Sequence, residues 1–419
     1  HPPPAHPALN HLSITPDPGV LEVNLQPSGT LQESAQITQV LYRSAKEEGL
    51  TTQKFMIDGR PAATGGGNHI TLGARSTLES PFLRFPSLLP SLIVYWQRHP
   101  ALSYLFSGLF IGPTSQAPRI DEARTDTLYD LELALKKLVG YKKDCPPYMI
   151  DRLLRHHLTD LTGNTHRAEF CIDKLYDPGS LGGRRGLLEM RAFEMPPHWK
   201  MSAVQQALIG AILCLMRKHP PRPRLVRWGL DLRDRFMIPH YIRQDLQEVL
   251  DDLQEIDIDL PMELFEPFFE FRFPVYGEVL YPGIRLELRM GLEPWNVLGE
   301  EANAGGTSRA VDSATERMQV SLEGDPAQRY ELACNGYRVP LKKVGSDRRV
   351  AGIRFKAWNP ASTMHPHLEP DNPLIFSLFD TYNERYVTGC TYHVAHPGGR
   401  SYETLPVNAL EAESRRISR

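Results

Sequence analysis

Hydrophobic and polar positions follow two different periods along the chain, and the change comes a little past its middle. Thr30 followed by Glu33 is a capping box, and Leu31, Ile37, Val40 and Leu41 then recur at near-helical spacing until Gly49, which predicts a helix. A second long helix is expected from about 90 to 112, and further helices over 126–138, 149–158, 202–218 and 231–253. Short segments of strand alternation lie between them, at 20–25, 69–72, 167–172 and 187–193. Beyond Phe265 the segments FFEFRFPVY, IRLELRM, RMQVSLEG, RYELACNG and LIFSLFDTY are separated by Gly, Pro and Asn turns, at intervals typical of all-β modules. A chain of 419 residues is long enough for two or three domains. The expected organisation is α+β: a Pro- and His-rich linker over 1–15, a mixed core over 16–255, a boundary near 256–261, and a β-rich domain over 262–419.

In a strand, residues i and i+2 point to the same face. Glu22 and Asn24 form such a pair in PDPGVLEVNLQP, and His69 and Thr71 do so in TGGGNHITL. Arg167 and Glu169 repeat the pattern in NTHRAEFCI, as do Glu189 and Arg191 in LLEMRAFEMPPH. A solvated face is the ordinary explanation for any one such strand. Four together differ, because their polar residues are Glu, Arg, His and Asn rather than Lys, Ser and Thr. Carboxylates and an imidazole on such a face can coordinate Mg²⁺ or Mn²⁺, while arginines bind phosphoryl oxygens. The Gly65–Gly66–Gly67 turn before Asn68 and His69 adds backbone that can approach a ligand closely and expose its N–H groups.

Composition narrows the class. The chain is 41% hydrophobic and 23% charged, as in globular proteins, and no apolar run approaches the roughly 20 residues that span a bilayer. The most apolar stretch, 102–111, reads as buried helix. A net charge of −3 without a basic stripe argues against a nucleic-acid partner. Five scattered cysteines argue against a disulfide scaffold and suit a reducing cytoplasm. The opening HPPPAHPALNH shows no initiator Met and no signal-peptide pattern, and reads as a linker within something longer.

These residues resemble the glutamine-synthetase-like carboxylate–amine ligases, and more closely an amidoligase family long catalogued as a domain of unknown function. The closer resemblance extends over nearly the whole chain, including GCTYHVAHPGGRSYETLPVNALEAE; the deeper one covers about 17–198. It implies a curved antiparallel sheet with flanking helices, ATP and Mg²⁺ (or Mn²⁺) as cofactors, and small-molecule or peptide carboxylate and amine substrates. It also implies a transglutaminase-like domain upstream as a partner, and an amide bond made through an acyl phosphate. PGVLEVN resembles the strand supplying a metal-binding Glu, here Glu22, and GGGNH the glycine-rich turn ending in a metal-binding His, here His69. WQRHPALSYLFSGLFIGPTSQAPR resembles the helix and loop ending in an arginine near the substrate carboxylate or phosphate, here Arg119. NTHRAEF then gives Arg167 for the γ-phosphate, and LEMRAFE gives Glu189 as a metal ligand with Arg191 as a phosphate or substrate contact. Asn24, Asn68 and Glu169 stand beside them. The family's earlier Glu-x-Glu strand has no counterpart before Glu22, so its source is expected upstream of His1 or in another domain.

Two rival readings stay open. Cys390, His393 and His396 in GCTYHVAH could serve a cysteine enzyme or a zinc site, although a catalytic His usually lies far from its Cys in sequence. The missing acidic strand favours a non-catalytic, ligase-like binding module. WGLDLRDR reads as helix surface, although the family resemblance allows it to reach the active site; FEFR and LELR read as charge pairs on a solvated β face, and GLEPWNVLGEE with GGTSRAVDSATER as a polar loop.

Overall fold

Prolines decide where the expected long helices stop. The computed structural model describes residues 12–17, 20–62, 67–113, 115–141, 145–180, 182–303, 306–325, 328–360, 363–394 and 402–418. It opens on a hairpin of β1 (Ser13–Asp17) and β2 (Val20–Asn24), then α1 (Leu31–Glu47), β3 (Lys54–Phe55), β4 (Pro61–Ala62) and β5 (Ile70–Leu72). Thr30 caps α1, its hydroxyl accepting from the Glu33 amide at 3.1 Å. Next come α2 (Pro81–Arg84), α3 (Leu88–Arg98), α4 (Ala101–Tyr104), α5 (Ile120–Ala123), α6 (Leu128–Gly140) and α7 (Tyr148–Leu154). The helix expected over 90–112 is thus broken at His99–Pro100, because the residue before a proline is pushed out of the helical region; His99 has φ −116° and ψ 84°. The apolar stretch 102–111 is buried as expected up to Phe106, but α4 ends at Tyr104 and turn and extended chain follow.

β6 (Phe170–Cys171), β7 (Leu188–Met190), α8 (Trp199–Lys218), α9 (Asp231–Arg235), α10 (Pro239–Gln254) and α11 (Glu266–Arg272) complete the first part. Pro239 opens α10, which divides the expected 231–253 helix. Among the described residues α8 is the one helix long and apolar enough by composition to cross a bilayer. Here it packs on α1 and α3, with Leu208, Ile209, Ile212, Leu215 and Met216 buried.

α11 corrects the expected strand in FFEFRFPVY. Phe265, Phe268, Phe269, Arg272 and Phe273 are all buried, and their spacing of three, four, seven and eight is helical rather than alternating. Phe268 and Phe269 of α11, with Phe265 and Phe273 flanking it, join the same hydrophobic core as α3, α6, α8 and α10.

The remaining strands are β8 (Val275–Tyr281), β9 (Ile284–Met290), β10 (Asn296–Asn303), β11 (Gly306–Asp312), β12 (Thr315–Glu323), β13 (Tyr330–Cys334), β14 (Tyr337–Arg338), β15 (Lys342–Val344), β16 (Arg348–Lys356), β17 (Leu374–Asp380) and β18 (Arg385–Tyr392), followed by α12 (Ala409–Ile417). They form a five-stranded sheet, β15-β16-β12-β9-β8, and a four-stranded one, β14-β13-β17-β18. Leu286 and Leu288, Val320 and Leu322, Phe376 and Leu378 alternate inward to make a second hydrophobic core. The expected polar loop is instead the antiparallel hairpin β10–β11. LELR is not solvated either: Glu287 is buried on β9 and receives Arg289 at 3.2 Å. The protein is therefore a mixed α and β fold with two cores.

Candidate active site

The three-stranded antiparallel sheet β5-β7-β6 brings three of the four predicted polar pairs together. Glu189 lies opposite Thr71 on β5 and Cys171 on β6, so all three share a face. One step further along β7, the Arg191 amide donates to the Glu169 carbonyl at 2.9 Å. The other face, with Ile70, Phe170, Leu188 and Met190, belongs to the core, where Trp96 meets Phe170 and Phe193 edge-on.

The fourth pair is elsewhere. β2 pairs with β1 alone among the described strands, so the expected shared face of four strands is one of three. Glu22 and Asn24 lie exposed on that hairpin, where Asn24 Nδ2 donates to Glu22 Oε1 at 3.0 Å. Alternation in one strand fixes which residues share a face, but not which strand lies alongside. Gly65 and Gly66 lie outside the described residues.

Glu189 is the centre of the face. His69 Nδ1 approaches its Oε1 at 3.3 Å, Arg191 Nη1 donates to the same oxygen at 2.7 Å, and Lys174 Nζ donates to Oε2 at 3.1 Å. Burial opposes its ionisation, yet the hydrogen bond from His69 and the charges of Arg191 and Lys174 outweigh it and hold the carboxyl well below the usual range. Lys174 was not foreseen; it sits in the turn after β6, outside every motif. Gly67 makes room for His69, since a Cβ there would fall 2.4 Å from His69 Nε2. Asn68 is tied to α8 instead, Nδ2 donating to Ser202 Oγ at 2.9 Å and Gln205 Oε1 at 2.7 Å.

Beside this face lies a cavity of about 300 Å³, lined by Gly67, Tyr104, Arg119, Glu122, Glu169 and Arg191 among others. Arg119 is buried in its wall and already committed: Nε and Nη2 grip Asp121 at 2.9 and 2.8 Å, Nη1 donates to Ser103 Oγ at 2.8 Å, and Nη2 to the Gln97 carbonyl at 2.9 Å. Glu169 accepts from Trp96 Nε1 at 3.2 Å, and burial raises its carboxyl to about 7 despite the nearby Arg119 charge. Arg191 differs from Arg119, because its Nε is buried with no hydrogen-bond partner. Arg167 is half-buried in the turn before β6, which is shorter than the expected 167–172 strand.

Two further residues belong to these surroundings: Glu194, which the motif reading did not single out, and Trp228, whose segment the family resemblance allows to reach the site. Glu194, which bridges to Gly67, lines the cavity and pairs with Arg272 of α11, both buried. Trp228 of WGLDLRDR reaches inward, its Nε1 donating at 3.0 Å to the same Gln97 carbonyl that Arg119 holds. The Cys390 thiol is raised by burial, unlike an activated nucleophile, and His396 lies outside the described residues. All five cysteines are free.

No curated protein and no solved structure matches the chain. The family described as "Putative amidoligase enzyme (DUF2126)" matches residues 1–419, and the protein belongs to that family.

Proposed function

We propose that the chain is the catalytic part of an ATP- and Mg²⁺-dependent carboxylate–amine ligase with a glutamine-synthetase-like sheet, acting in the cytoplasm on small-molecule or peptide substrates. A carboxylate is a poor acyl donor because its leaving group is oxide. ATP supplies a phosphoryl group that turns this oxygen into a good leaving group, and an amine then displaces phosphate to give the amide. Two anions must meet for this, so cations have to offset their repulsion.

The observation that carries the reading is Arg191. Its Nη1 holds the Glu189 carboxylate, the residue lines the cavity, and a buried N–H is left over for a ligand oxygen. The donor set fits a hard divalent ion in part: Glu189 and His69 would hold it from the sheet, whereas Glu22, the carboxylate the family resemblance would add, lies on the separate β1–β2 hairpin. Arg191 would then neutralise the transferring group, with Arg167 beside it. Arg119 orients Asp121 and the cavity wall, since its donors are already engaged.

The test is metal-dependent conversion of ATP to ADP by the full chain, screened against amino acids and short acidic peptides. Arg191→Ala is expected to lower turnover by roughly 10²-fold, the scale for losing one charge-stabilising donor. Full turnover in that variant, or AMP as the product, would overturn the acyl-phosphate route.

A further inference from the structure

His166, Cys171 and Asp173 form a group that the ligase chemistry does not use. One imidazole nitrogen, the thiol sulfur and one carboxylate oxygen lie within 4.8 Å of one another. His166 belongs to the turn before β6, Cys171 ends β6, and Asp173 follows it, so a single short segment, THRAEFCID, carries all three.

Their spacing suits a tetrahedral ion. With metal–nitrogen and metal–oxygen bonds of about 2.0–2.1 Å, tetrahedral geometry places two ligands about 3.3–3.4 Å apart. His166 Nε2 and Asp173 Oδ2 are 3.3 Å apart. Asp173 is also held from behind, as ligating carboxylates are: Arg155 Nη1 donates to its Oδ1 at 3.1 Å and Thr165 Oγ1 to its Oδ2 at 2.7 Å. The His166 side chain is 61% exposed, which provides an entry path and leaves a fourth position to water.

Among the described residues a second group of this kind, His99, Asp245 and Glu248, lacks sulfur. There Asp245 already accepts from the Ala101 amide at 2.7 Å, so it caps α4. The sulfur decides the ion. A thiolate with imidazole and carboxylate selects Zn²⁺ over Mg²⁺ or Ca²⁺, which take oxygen ligands.

We propose that His166, Cys171 and Asp173 form a binding site for a borderline-soft divalent cation, Zn²⁺ above all, distinct from the hard-cation chemistry of Glu189. Binding forms bonds to nitrogen, sulfur and oxygen and releases the thiol proton to solvent. Burial pushes that thiol up, so an ion has to displace its proton to bind. The ion would sit one strand from Glu189, the cross-strand partner of Cys171.

Cobalt titration of the full chain, without nucleotide, tests this independently of ligase activity. One equivalent of Co²⁺ should give a sulfur-to-cobalt charge-transfer band that Zn²⁺ abolishes and excess Mg²⁺ leaves in place. Cys171→Ser, checked for folding by circular dichroism, should lose the band. His166→Ala, at an exposed position, should weaken binding by at least about tenfold. A folded wild-type chain without the band, a band persisting in Cys171→Ser, or unchanged affinity in His166→Ala would each overturn the site.

Discussion

Glu169, just before β6, and Glu189, on the neighbouring β7, are driven in opposite directions by their surroundings. Glu189 gains a hydrogen bond from His69 and the charges of Arg191 and Lys174, which keep it ionised despite burial. Glu169 is buried behind Trp96, and although Arg119 favours its charge, Asp121 and Glu122 oppose it; the net result is about 7. An unfolded glutamate titrates near 4.3, so the native group binds its proton more tightly. The stabilisation linked to that proton is complete below the unfolded value and disappears as pH rises through about 7. Glu169→Gln mimics the protonated form and keeps the contact with Trp96. Between about pH 4 and 8 the wild type should therefore lose roughly 3–4 kcal/mol relative to this variant. Urea unfolding of both proteins across that range measures it, and parallel pH profiles would contradict the shift.

Elements were legible where the signal is local. The Thr30–Glu33 box, the apolar stripe after it and the Gly49 stop, with its φ of 73°, predict α1 correctly, and alternation predicts Leu188–Met190 and Ile70–Leu72. Pro100 and Pro239 mark helix boundaries, but the apolar period runs on through both and masks them. Partners far apart in sequence were not legible at all, since nothing in VLEVN states that its neighbour is SITPD rather than ITL. The same holds for α12, which docks on the hairpin β3–β4. Arg415 Nη1 donates to the Ile57 carbonyl and Arg416 Nη1 to that of Gly59, each at 2.7 Å. Gly59 has φ 85°, and a Cβ there would fall 2.0 Å from the Ala412 carbonyl oxygen. Gly59→Ala thus meets both left-handed backbone strain and a backbone clash. Hydrogen exchange should show α12 losing its protection while α3 and α8 keep theirs. Unchanged protection of Ala409–Ile417 would mean that the helix is anchored some other way.

At the scale of the whole molecule, α11 fastens the two cores to each other and to the cavity. Phe268 and Phe269 of the helix, with Phe265 and Phe273 at its ends, are buried in the helical core. Glu270 reaches the β9 arginine Arg289 at 2.8 Å, and Arg272 pairs with Glu194 in the cavity wall. A Glu-x-Arg pair looks the same on a strand and on a helix, so FEFR predicts a solvated β face and conceals this join. The Arg272–Glu194 pair is buried on both sides, and burial raises the Glu194 carboxyl against the pull of Arg272. Removing one partner leaves the other as an uncompensated buried charge, which typically costs 3–5 kcal/mol, whereas replacing both by apolar residues of similar size is often near neutral. Arg272→Ala should therefore lower unfolding stability by roughly 3–5 kcal/mol, and Arg272→Met combined with Glu194→Leu should restore most of it. Denaturant unfolding of the wild type and both variants measures this, and a loss below about 1 kcal/mol in Arg272→Ala, the scale of an exposed pair, would contradict a buried, mutually compensating pair.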